Sequence, residues 1–547
     1  MNPSGGIPFD PQAVFKNALA LRQAGRLSES EAEYRKILGV YPEHPELNAN
    51  FALVLRDLEK FEESANCCRI AIRANPNLAE AYATLGAIEM DLGQFEVAVE
   101  NFDKALTINP TLAAAGQNKA LALMSLGRAR QVAGNSEGAI EAYRSVLELS
   151  MNHPDARNNL AVALSETGQL DAALVEIDFV VSNNPNYVEA HLNRGNILRD
   201  LGRNDAAVSA YQKVLELDPN SVDGHLNLGL TLLCLEQFEA GWQEFDWRWQ
   251  TENLKPFARK FAVPEWQGEA LNGHKLLIWT EQGLGDEILF STILPDVIGR
   301  IGADAIIFEC ETRLAGLYQR TYPYIQVISK EKNDPRAEQV AHPSYDVQIS
   351  AGSLARHFRA RSDDFPGEIS SLLADPEKKA LWSERISALG PGLKVGIAWR
   401  GGMLGSLKKR KSIELTLFEA ILRQENCHFI NLQYGDCRDD LALAKNIGVT
   451  VHDWPDVDPL ADLETQTAQI ANLDLVIQTS NASVHLAGAL NIPIWNLVAF
   501  SADWRWGHTG ERSLWYPSMR ICRQETGRDW EGLIRRVADE LGKFNPS

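Results

Sequence analysis

The chain has 547 residues, of which 45% are hydrophobic and 23% are charged, and its formal net charge is −20. This length is too great for a single hydrophobic core and predicts about three domains. Residues 1–250 hold 20 Lys and Arg against 34 Asp and Glu, which leaves 33 against 39 for the remainder. An acidic first half repels nucleic acid and anionic membrane surfaces, so we expect neither as a partner. A small anionic ligand in a basic pocket of the second half is compatible with this charge distribution.

The amino-terminus and the cysteines indicate a cytoplasmic protein. The opening MNPSGGIPFDPQ has neither the basic start nor the apolar run of a signal peptide. No run of about 18 apolar residues follows that could cross a bilayer. The seven cysteines form no CxxC motif and no ligand cluster. We therefore expect no disulfide framework, no structural zinc site and no membrane span.

The first half repeats with a period of 34 residues. Pro42, Pro76 and Pro110 are separated by 34 residues, and so are Pro185 and Pro219. Between them, apolar residues recur at helical spacing on two segments joined by a short turn. One repeat, around ALMSLGRARQVAG, is seven residues longer, which adds two helical turns and predicts a longer first helix. The pattern resembles tetratricopeptide repeats, about seven units over 11–250.

Asparagines recur near the start of the first helices of the repeats. Stacked helix pairs form a curved solenoid whose concave side is a binding surface. An asparagine amide there can hold the backbone of an extended peptide because it offers both a donor and an acceptor. We predict that Asn158, Asn193 and Asn227 line such a peptide groove. The alternative is that these side chains are solvated or cap neighbouring turns.

A dense aromatic segment, FEAGWQEFDWRWQ, ends the repeats. We predict that Trp242, Phe245, Trp247 and Trp249 close the end of the solenoid against the next domain, and ligand stacking is the alternative. A linker over 251–272 follows. The pattern then changes to strand–turn–helix alternation, which predicts an α/β architecture.

The second half reads as two series of buried strands and helices. The runs KLLIWT and DAIIFEC belong to the first series, and KVGIAW, CHFINLQ, LDLVIQT and PIWNLVAF to the second. Apolar runs separated by helices predict parallel sheets covered on both faces. We assign 273–390 and 391–547 to two doubly wound domains. We expect one helix over EILFSTILPDVIGRI and a final helix near 529–543 that packs back on the first domain.

The turn EQGLGD follows the first strand of the first series. Ligands of doubly wound folds bind at the carboxyl ends of strands, so this turn is a candidate site. Gly283 and Gly285 permit the backbone to turn sharply. Asp286 lies at the start of the next helix, where it is either a functional acid or a helix cap.

The segment TSNASVHLAGAL is its counterpart in the second series. Ser480 and Asn481 are predicted to start a helix whose first-turn amides form an anion site, and His485 lies on the same side of that helix. The charged run KKRKS, 408–412, can add a cation to a diphosphate, or it is a solvated loop. No DxD motif occurs at a suitable turn, so we expect chemistry without a metal.

Several motifs in order carry a resemblance: GLGDEI, AWRGG, KSIEL, LVIQTSNASVHLAGAL, DWRW and SLWYPSMRICRQ. They resemble bacterial tetratricopeptide proteins fused to a glycosyltransferase domain related to the heptosyltransferases, over nearly the whole chain. The resemblance implies an α-solenoid followed by an α/β GT-B fold with two Rossmann-like domains. The acceptor would lie near the first of these, and a nucleotide sugar, as co-substrate with no other cofactor, would be bound mainly by the second.

The resemblance also implies roles for single residues. Asp286 matches the acid regarded as the catalytic base in heptosyltransferase-like enzymes. Many relatives have Asp-Thr where this chain has Ser480 and Asn481, which implies a different donor or altered phosphate contacts. The positions that match nucleotide-sugar contacts are Trp399, Lys411, Gln433, Ser480, Asn481 and His485.

The same pairing of repeats with a GT-B domain occurs in O-GlcNAc transferase and in flagellin glycosyltransferases, where the repeats recruit a protein acceptor. The implied function is a metal-independent protein O-glycosyltransferase that moves a sugar from a nucleotide donor to Ser or Thr of a recruited protein, with flagellin as one candidate. Two alternatives stay open. One is a transferase acting on lipopolysaccharide or another glycan, and the other is a non-catalytic scaffold with a decayed GT-B domain.

Overall fold

A computed structural model of the chain describes residues 10–281, 283–330, 344–369, 371–401, 411–459, 461–527 and 529–544. Its contacts divide the chain into two units, Met1–Asn193 and Arg194–Ser547. The first unit is helical, and the second holds the last helices of the repeats and two parallel sheets. The domain boundaries assigned from the sequence at 250, 272 and 390 stay predictions.

The repeats form consecutive helix pairs within the continuous stretch 10–281. The helices of the first unit are α1 (Pro11–Gln23), α2 (Leu27–Leu38), α3 (Pro45–Asp57), α4 (Phe61–Ala74), α5 (Ala79–Asp91), α6 (Phe95–Ile108), α7 (Ala113–Val132), α8 (Ser136–Leu149), α9 (Pro154–Glu166) and α10 (Leu170–Asn183). Helix α11 (Val188–Asp200) contains the unit boundary, and the second unit continues with α12 (Asn204–Leu217), α13 (Val222–Cys234) and α14 (Phe238–Phe245). None of the described helices combines the length and apolar character that a membrane crossing requires.

Glycine on the first helix of a pair allows close packing against an aromatic ring on the second. A Cβ on Gly127 would come within 2.4 Å of the Tyr143 ring, and one on Gly195 within 2.4 Å of the Tyr211 ring. Both tyrosine rings are fully buried. Since a methyl group has no room at either glycine, the distance between the two helices depends on these residues.

The turn inside each pair uses the left-handed backbone region. Gly25, Gly93, Gly134 and Gly168 have φ between 74° and 79°, and Glu59 takes the same conformation with a φ of 60°. Glycine recurs at this position because it has no Cβ to clash in that conformation. The turn conformation therefore explains part of the 34-residue sequence period.

Helix α7 accommodates the one repeat of irregular length. It has 20 residues, whereas α5, the corresponding helix of the preceding repeat, has 13. The additional residues amount to two full helical turns, so the buried side chains stay on one face. The prediction of a longer first helix is confirmed.

The first sheet lies in the second unit, within residues 276–350. Its strands are β1 (Leu276–Trp279), β2 (Ile306–Glu311), β3 (Gln326–Lys330) and β4 (Val347–Ser350). All pairings are parallel, and the strand order is β3-β2-β1-β4. The connecting helices are α15 (Leu284–Ser291), α16 (Leu294–Ile301), α17 (Ala315–Thr321) and α18 (Ala355–Phe358). The next helix, α19 (Pro376–Ser387), contacts the helix Leu463–Ile470 that accompanies the second sheet.

The single helix expected over EILFSTILPDVIGRI is wrong, because α15 and α16 are separate helices. Pro295 has no backbone N–H to donate to the carbonyl of Ser291, where α15 ends. The same proline lies in the first turn of α16, where a missing N–H is tolerated. The break follows from proline chemistry that apolar periodicity alone does not register.

The second sheet has six parallel strands in the described part of the chain. They are β5 (Leu393–Ala398), β6 (Cys427–Asn431), β7 (Val451–His452), β8 (Leu475–Thr479), β9 (Ile494–Val498) and β10 (Met519–Arg523). Their order, β10-β9-β8-β5-β6-β7, reverses direction between β5 and β8. This is the doubly wound order, in which ligands bind at the point of reversal. The accompanying helices are α20 (Glu419–Leu422), α21 (Arg438–Asn446), α22 (Leu463–Ile470), α23 (Ala482–Ala489) and α24 (Trp530–Leu541).

The final helix, α24, packs on the second sheet. Leu533, Ile534 and Val537 share a hydrophobic core with Val395 and Ile397 of β5. The expectation that this helix packs back on the first doubly wound domain is therefore wrong. The apolar face of α24 finds its partners in the nearer sheet.

The aromatic segment packs the last repeat helix, α14, against other elements of the second unit, as predicted for Trp242. Trp242 is buried, and its indole N–H donates to the carbonyl of Arg359 at 2.7 Å. The Trp242 ring meets Trp504 edge to face, with centroids 5.5 Å apart, and Phe290 of α15 at 6.5 Å. One side chain from the last repeat therefore contacts elements associated with both sheets.

Two glycine substitutions on α7 form a matched pair. Alanine at Gly127 forces its Cβ into the buried Tyr143 ring, so we expect the free energy of unfolding to fall by about 1 to 3 kcal/mol. Alanine at Gly116 meets no described atom within 4 Å and improves helix propensity, so we expect a gain of up to about 1 kcal/mol. Urea denaturation of the full chain, followed by circular dichroism, measures both. Effects of equal sign would contradict the packing role of Gly127.

Candidate functional site

The two motifs singled out from the sequence are neighbours in space. Helix α15 follows β1 of the first sheet, and α23 follows β8 of the second, and these two helices contact one another. A Cβ on Gly285 would lie 2.9 Å from Cδ2 of His485. Glycine at 285 therefore lets the acidic turn of one sheet approach the helix start of the other. The candidate site lies between the carboxyl ends of the two sheets.

Asp286 lies in the first turn of α15 but does not cap it, since the cap position is Gly283 with a φ of 81°. Its Oδ1 accepts hydrogen bonds from Nε of Arg505 at 3.0 Å and from Nη2 of the same guanidinium. Burial raises the pKa of Asp286 above its ordinary value, and the positive charge of Arg505 lowers it. The carboxylate is thus paired with one guanidinium, whose charge opposes the effect of burial on its pKa.

Asp503 connects two cations at the site. It accepts from Nη1 of Arg505 at 2.6 Å and from Nζ of Lys411 at 3.1 Å. Burial raises the pKa of Asp503, but the charges of Arg505 and Lys411 outweigh it and hold that pKa well below its usual range. Asp503 is therefore negatively charged at physiological pH. Charges of opposite sign alternate along the site in the order Lys411, Asp503, Arg505 and Asp286.

Asn481 caps α23, so the predicted helix start at this position is confirmed. Its Oδ1 accepts from the backbone N–H of Ser483 at 3.0 Å, and its Nδ2 donates to the carbonyl of Arg400 at 3.3 Å. The second bond joins the loops that follow β8 and β5, across the point where the strand order reverses. An aspartate here would have no N–H for the Arg400 carbonyl. Ser480 lies beside the cap and donates to Oδ1 of Asn496 at 3.2 Å.

His485 is buried next to the turn of α15. Its Nδ1 lies 3.0 Å from the Tyr516 hydroxyl, and its ring stacks on Trp506 with centroids 5.4 Å apart. Burial and the nearby Arg505 lower the pKa of His485 to about 3. The imidazole is therefore neutral at physiological pH, and it can offer a hydrogen bond but no positive charge. The cations at the site are Lys411 and Arg505, and both are paired with Asp503 or Asp286.

Trp399 and Gln433, predicted as ligand contacts, have buried side chains. The indole N–H of Trp399 donates to Oδ2 of Asp440 at 3.0 Å. Oε1 of Gln433 accepts from the backbone N–H groups of Trp399 and Arg400, at 3.1 and 2.8 Å. These buried side chains hold the loop after β5, and their predicted role in binding a nucleotide sugar stays a prediction.

The groove asparagines bond within the repeats. Asn158 is 1% exposed, and its Oδ1 accepts from Nδ2 of Asn193 at 3.0 Å. Oδ1 of Asn227 accepts from Nη1 of Arg199 at 2.8 Å. The amide of Asn158 is buried and links two repeats, so its side chain is less exposed than a groove-lining residue was expected to be. A peptide-binding role of Asn193 and Asn227 stays a prediction.

Sequence reasoning used DWRW, 503–506, only as part of a resemblance and gave Asp503 and Arg505 no role. Their signal is an acid and a base two residues apart, which a sequence scan cannot distinguish from a surface pair. Within the charged run 408–412, residues 408–410 lie outside the described residues, whereas Lys411 is at the site. Among the described residues, no three His, Cys, Asp or Glu side chains are grouped so as to hold a metal ion.

Three segments of the chain match tetratricopeptide-repeat families. Residues 79–112 and 133–197 match families described as tetratricopeptide repeat, and residues 195–233 match one described as TPR repeat. The helical half is therefore a tetratricopeptide-repeat solenoid, as its 34-residue period predicts.

The chain is also similar to Protein FlbA of Caulobacter vibrioides, with 36% identity over 327 residues. The aligned part covers 58% of this chain and 54% of FlbA, so the chain spans about half the length of this curated relative. Among solved structures, it is similar to YrrB, a TPR protein with an unusual peptide-binding site, with 20% identity and a TM-score of 0.29 over 35% of this chain and 95% of YrrB. PilF of Pseudomonas aeruginosa has 18% identity and a TM-score of 0.28 over 39% and 94% of the two chains.

Glu287, next to Asp286, generates a prediction about pH. It is buried, and burial raises its pKa from 4.5 to about 7, against the two hydrogen bonds from the Glu311 N–H. Between pH 4.5 and about 7, Glu287 is protonated in the folded state and ionised in the unfolded state. Its contribution to the free energy of unfolding is therefore complete below pH 4.5 and is lost as the pH rises to about 7. The loss is about 3 kcal/mol, at ~1.4 kcal/mol for each pKa unit.

The variant Glu287→Gln lacks this proton equilibrium. Urea denaturation at pH 5 and at pH 8 is expected to show wild type losing stability relative to the variant as the pH rises. Glu368→Gln, which removes an exposed carboxylate, is the control. A stability difference between wild type and Glu287→Gln that does not change with pH would contradict the assignment.

Proposed function

We propose that the chain is a protein O-glycosyltransferase with a GT-B catalytic part, which transfers a sugar from a nucleotide donor to Ser or Thr of a protein that the repeats recruit. The observation that carries the proposal is the proximity of Asp286, after β1, to Lys411 and the start of α23, after β5 and β8. These contacts bring the candidate base and the candidate anion-binding residues together between the two parallel sheets. Two doubly wound sheets with facing carboxyl ends are compatible with the GT-B architecture.

The acid supplies the base that the reaction needs. The acceptor hydroxyl gives its proton to the Asp286 carboxylate while its oxygen forms the new bond to the anomeric carbon of the sugar. The bond from that carbon to the phosphate oxygen breaks, and the nucleoside diphosphate leaves with the electron pair. A raised pKa suits a carboxylate to this role, because it brings the base closer to the working pH.

The second sheet supplies the groups that stabilise the leaving diphosphate. Its negative charge grows as the bond breaks, and Lys411 and the first-turn amides of α23 oppose that charge. His485, being neutral, contributes a hydrogen bond. Gln433 and Asn481 hold the loops after β5 and β8, so these donors are oriented before the donor binds.

The repeats supply the surface for the acceptor. A tetratricopeptide-repeat solenoid presents an extended concave face that suits a protein segment better than a single sugar. We propose a protein acceptor on this ground, and flagellin is one candidate. A glycan acceptor, including lipopolysaccharide, and a scaffold without turnover are the outcomes that the following experiment separates from it.

The experiment incubates the full chain with labelled nucleotide sugars and a panel of acceptors: purified flagellin, whole-cell lysate and lipopolysaccharide. Mass spectrometry locates transferred sugar. We expect label on Ser or Thr of a protein with one preferred donor. Label on lipopolysaccharide alone would indicate a glycan acceptor instead of a protein. If no sugar is transferred and calorimetry detects no donor binding, the chain is a scaffold without turnover.

Asp286→Asn tests the base directly. We expect transfer to fall by about 10² to 10⁴, the usual contribution of a positioned base, while donor binding measured by calorimetry is retained. Asp304→Asn is a matched control, since this exposed acid lies before β2, at the opposite edge of the first sheet. Full activity of Asp286→Asn, or equal losses in both variants, would contradict the role of Asp286.

A further inference from the structure

The tetrapeptide Asp-Trp-Arg-Trp occurs twice in the chain and is built the same way each time. Asp246 accepts from Nη1 of Arg248 at 2.7 Å, and Asp503 accepts from Nη1 of Arg505 at 2.6 Å. Each aspartate also binds a second cation from a distant part of the second unit, through its other oxygen. In both copies the aspartate therefore fixes the direction in which its arginine points.

Both arginines point at the turn between β1 and α15. Arg248 donates from Nε and Nη2 to the two oxygens of Glu281, at 3.0 and 2.6 Å. Arg505 donates from Nε and Nη2 to Oδ1 of Asp286. Glu281 precedes the glycines of this turn and Asp286 follows them. The two copies of the tetrapeptide therefore hold the two ends of one turn.

The two ion pairs differ in exposure. The side chains of Arg248 and Glu281 are 3% and 9% exposed, and the Gly352 N–H also donates to the Glu281 carboxylate at 3.0 Å. The side chains of Arg505 and Asp286 are 18% and 36% exposed. The Arg248–Glu281 ion pair is therefore buried, whereas the Arg505–Asp286 ion pair is partly exposed to solvent.

Only one oxygen of Asp286 is used by Arg505. Within the described residues, Oδ2 accepts no hydrogen bond, and it lies 3.7 Å from where a Cβ would stand on Gly283. Apart from the chain neighbours of Gly283, no other described atom lies within 4 Å of that Cβ position. The carboxylate is therefore held by one oxygen and presents the other.

We propose that Arg505 is a positioning residue, which holds Oδ1 of Asp286 so that Oδ2 faces the hydroxyl of the acceptor. This inference rests on the proposed transferase function. Arg505 then acts in two ways: its fork of donors sets the orientation of the carboxylate, and its charge sets the pH at which that carboxylate is ionised. Arg248 holds the buried carboxylate of Glu281 at the other end of the turn and has no role in the reaction.

The two actions can be separated, because lysine keeps the charge and glutamine does not. The charged and titratable groups that face Asp286 are Arg505, Asp503, Glu281, Tyr516 and, across Gly285, His485. Arg505 is the cation that lowers the pKa of Asp286 against the effect of burial. Without it, Asp286 needs a higher pH to ionise.

The test measures kcat and KM for the donor against pH in wild type, Arg505→Lys and Arg505→Gln, with the donor and acceptor that wild type uses. For Arg505→Gln we expect the acidic limb of the kcat/KM profile to move up by about 1 to 3 pH units. For Arg505→Lys we expect the limb to stay in place and kcat to fall by about tenfold, because a single ammonium cannot reproduce the fork. The donor KM should change little in both, since Lys411 is retained.

Arg248→Lys is the matched control from the other copy of the tetrapeptide. We expect it to lower the melting temperature of the full chain more than Arg505→Lys does, and to leave the acidic limb in place. An active wild type whose pH profile is unchanged in Arg505→Gln would overturn the inference and leave the transferase function intact. A wild type that transfers no sugar to any acceptor would overturn the transferase function, and the inference with it.

Discussion

The burial of one indole, Trp242, is the interaction on which the site depends. This side chain belongs to the last repeat, yet it packs against Phe290 on the helix that carries Asp286 and against Trp504 in the segment that carries Arg505. Its N–H is satisfied by the Arg359 carbonyl, so the ring is buried without loss of a hydrogen bond. The elements that carry the acid and its arginine are therefore both packed against α14, the last helix of the repeats and a part of the same unit.

The charges in the cleft alternate because each would be destabilised alone. Lys411, Asp503, Arg505 and Asp286 form a chain in which every charge has a partner of the opposite sign. Partly enclosed charges of this kind add little to stability and are typical of sites that bind or react. In the proposed transferase, the acceptor hydroxyl arrives at the partly exposed end of this chain of charges, at Asp286, and the diphosphate binds at the other end, near Lys411 and the start of α23.

Local chemistry explains which elements were predicted and which were missed. Of the predicted strands, β1, β2, β5, β8 and β9 have mostly buried, apolar residues, which read clearly as runs, and β6 is only partly buried. Strand β3 has no buried residue and β7 has only two residues, so neither forms such a run. Strands β4 and β10 are mostly buried but were not predicted either, so burial explains only part of the difference. The same reasoning found Gly283, Gly285, Asp286 and the start of α23, because turns after buried strands have a local signature.

The sequence by itself determined the repeat period, the long α7, the two series of parallel strands and the two loops that meet in the cleft. These features depend on residues within a few positions of one another, where helical spacing, glycine turns and proline act directly. Only the tertiary structure decided that Asp286 pairs with Arg505, that Trp399 and Gln433 lie inside, and that α24 packs on the second sheet. Those contacts join residues far apart in the chain. Many residues of the same type could have made each contact, and only the packing of the folded chain decides which one does.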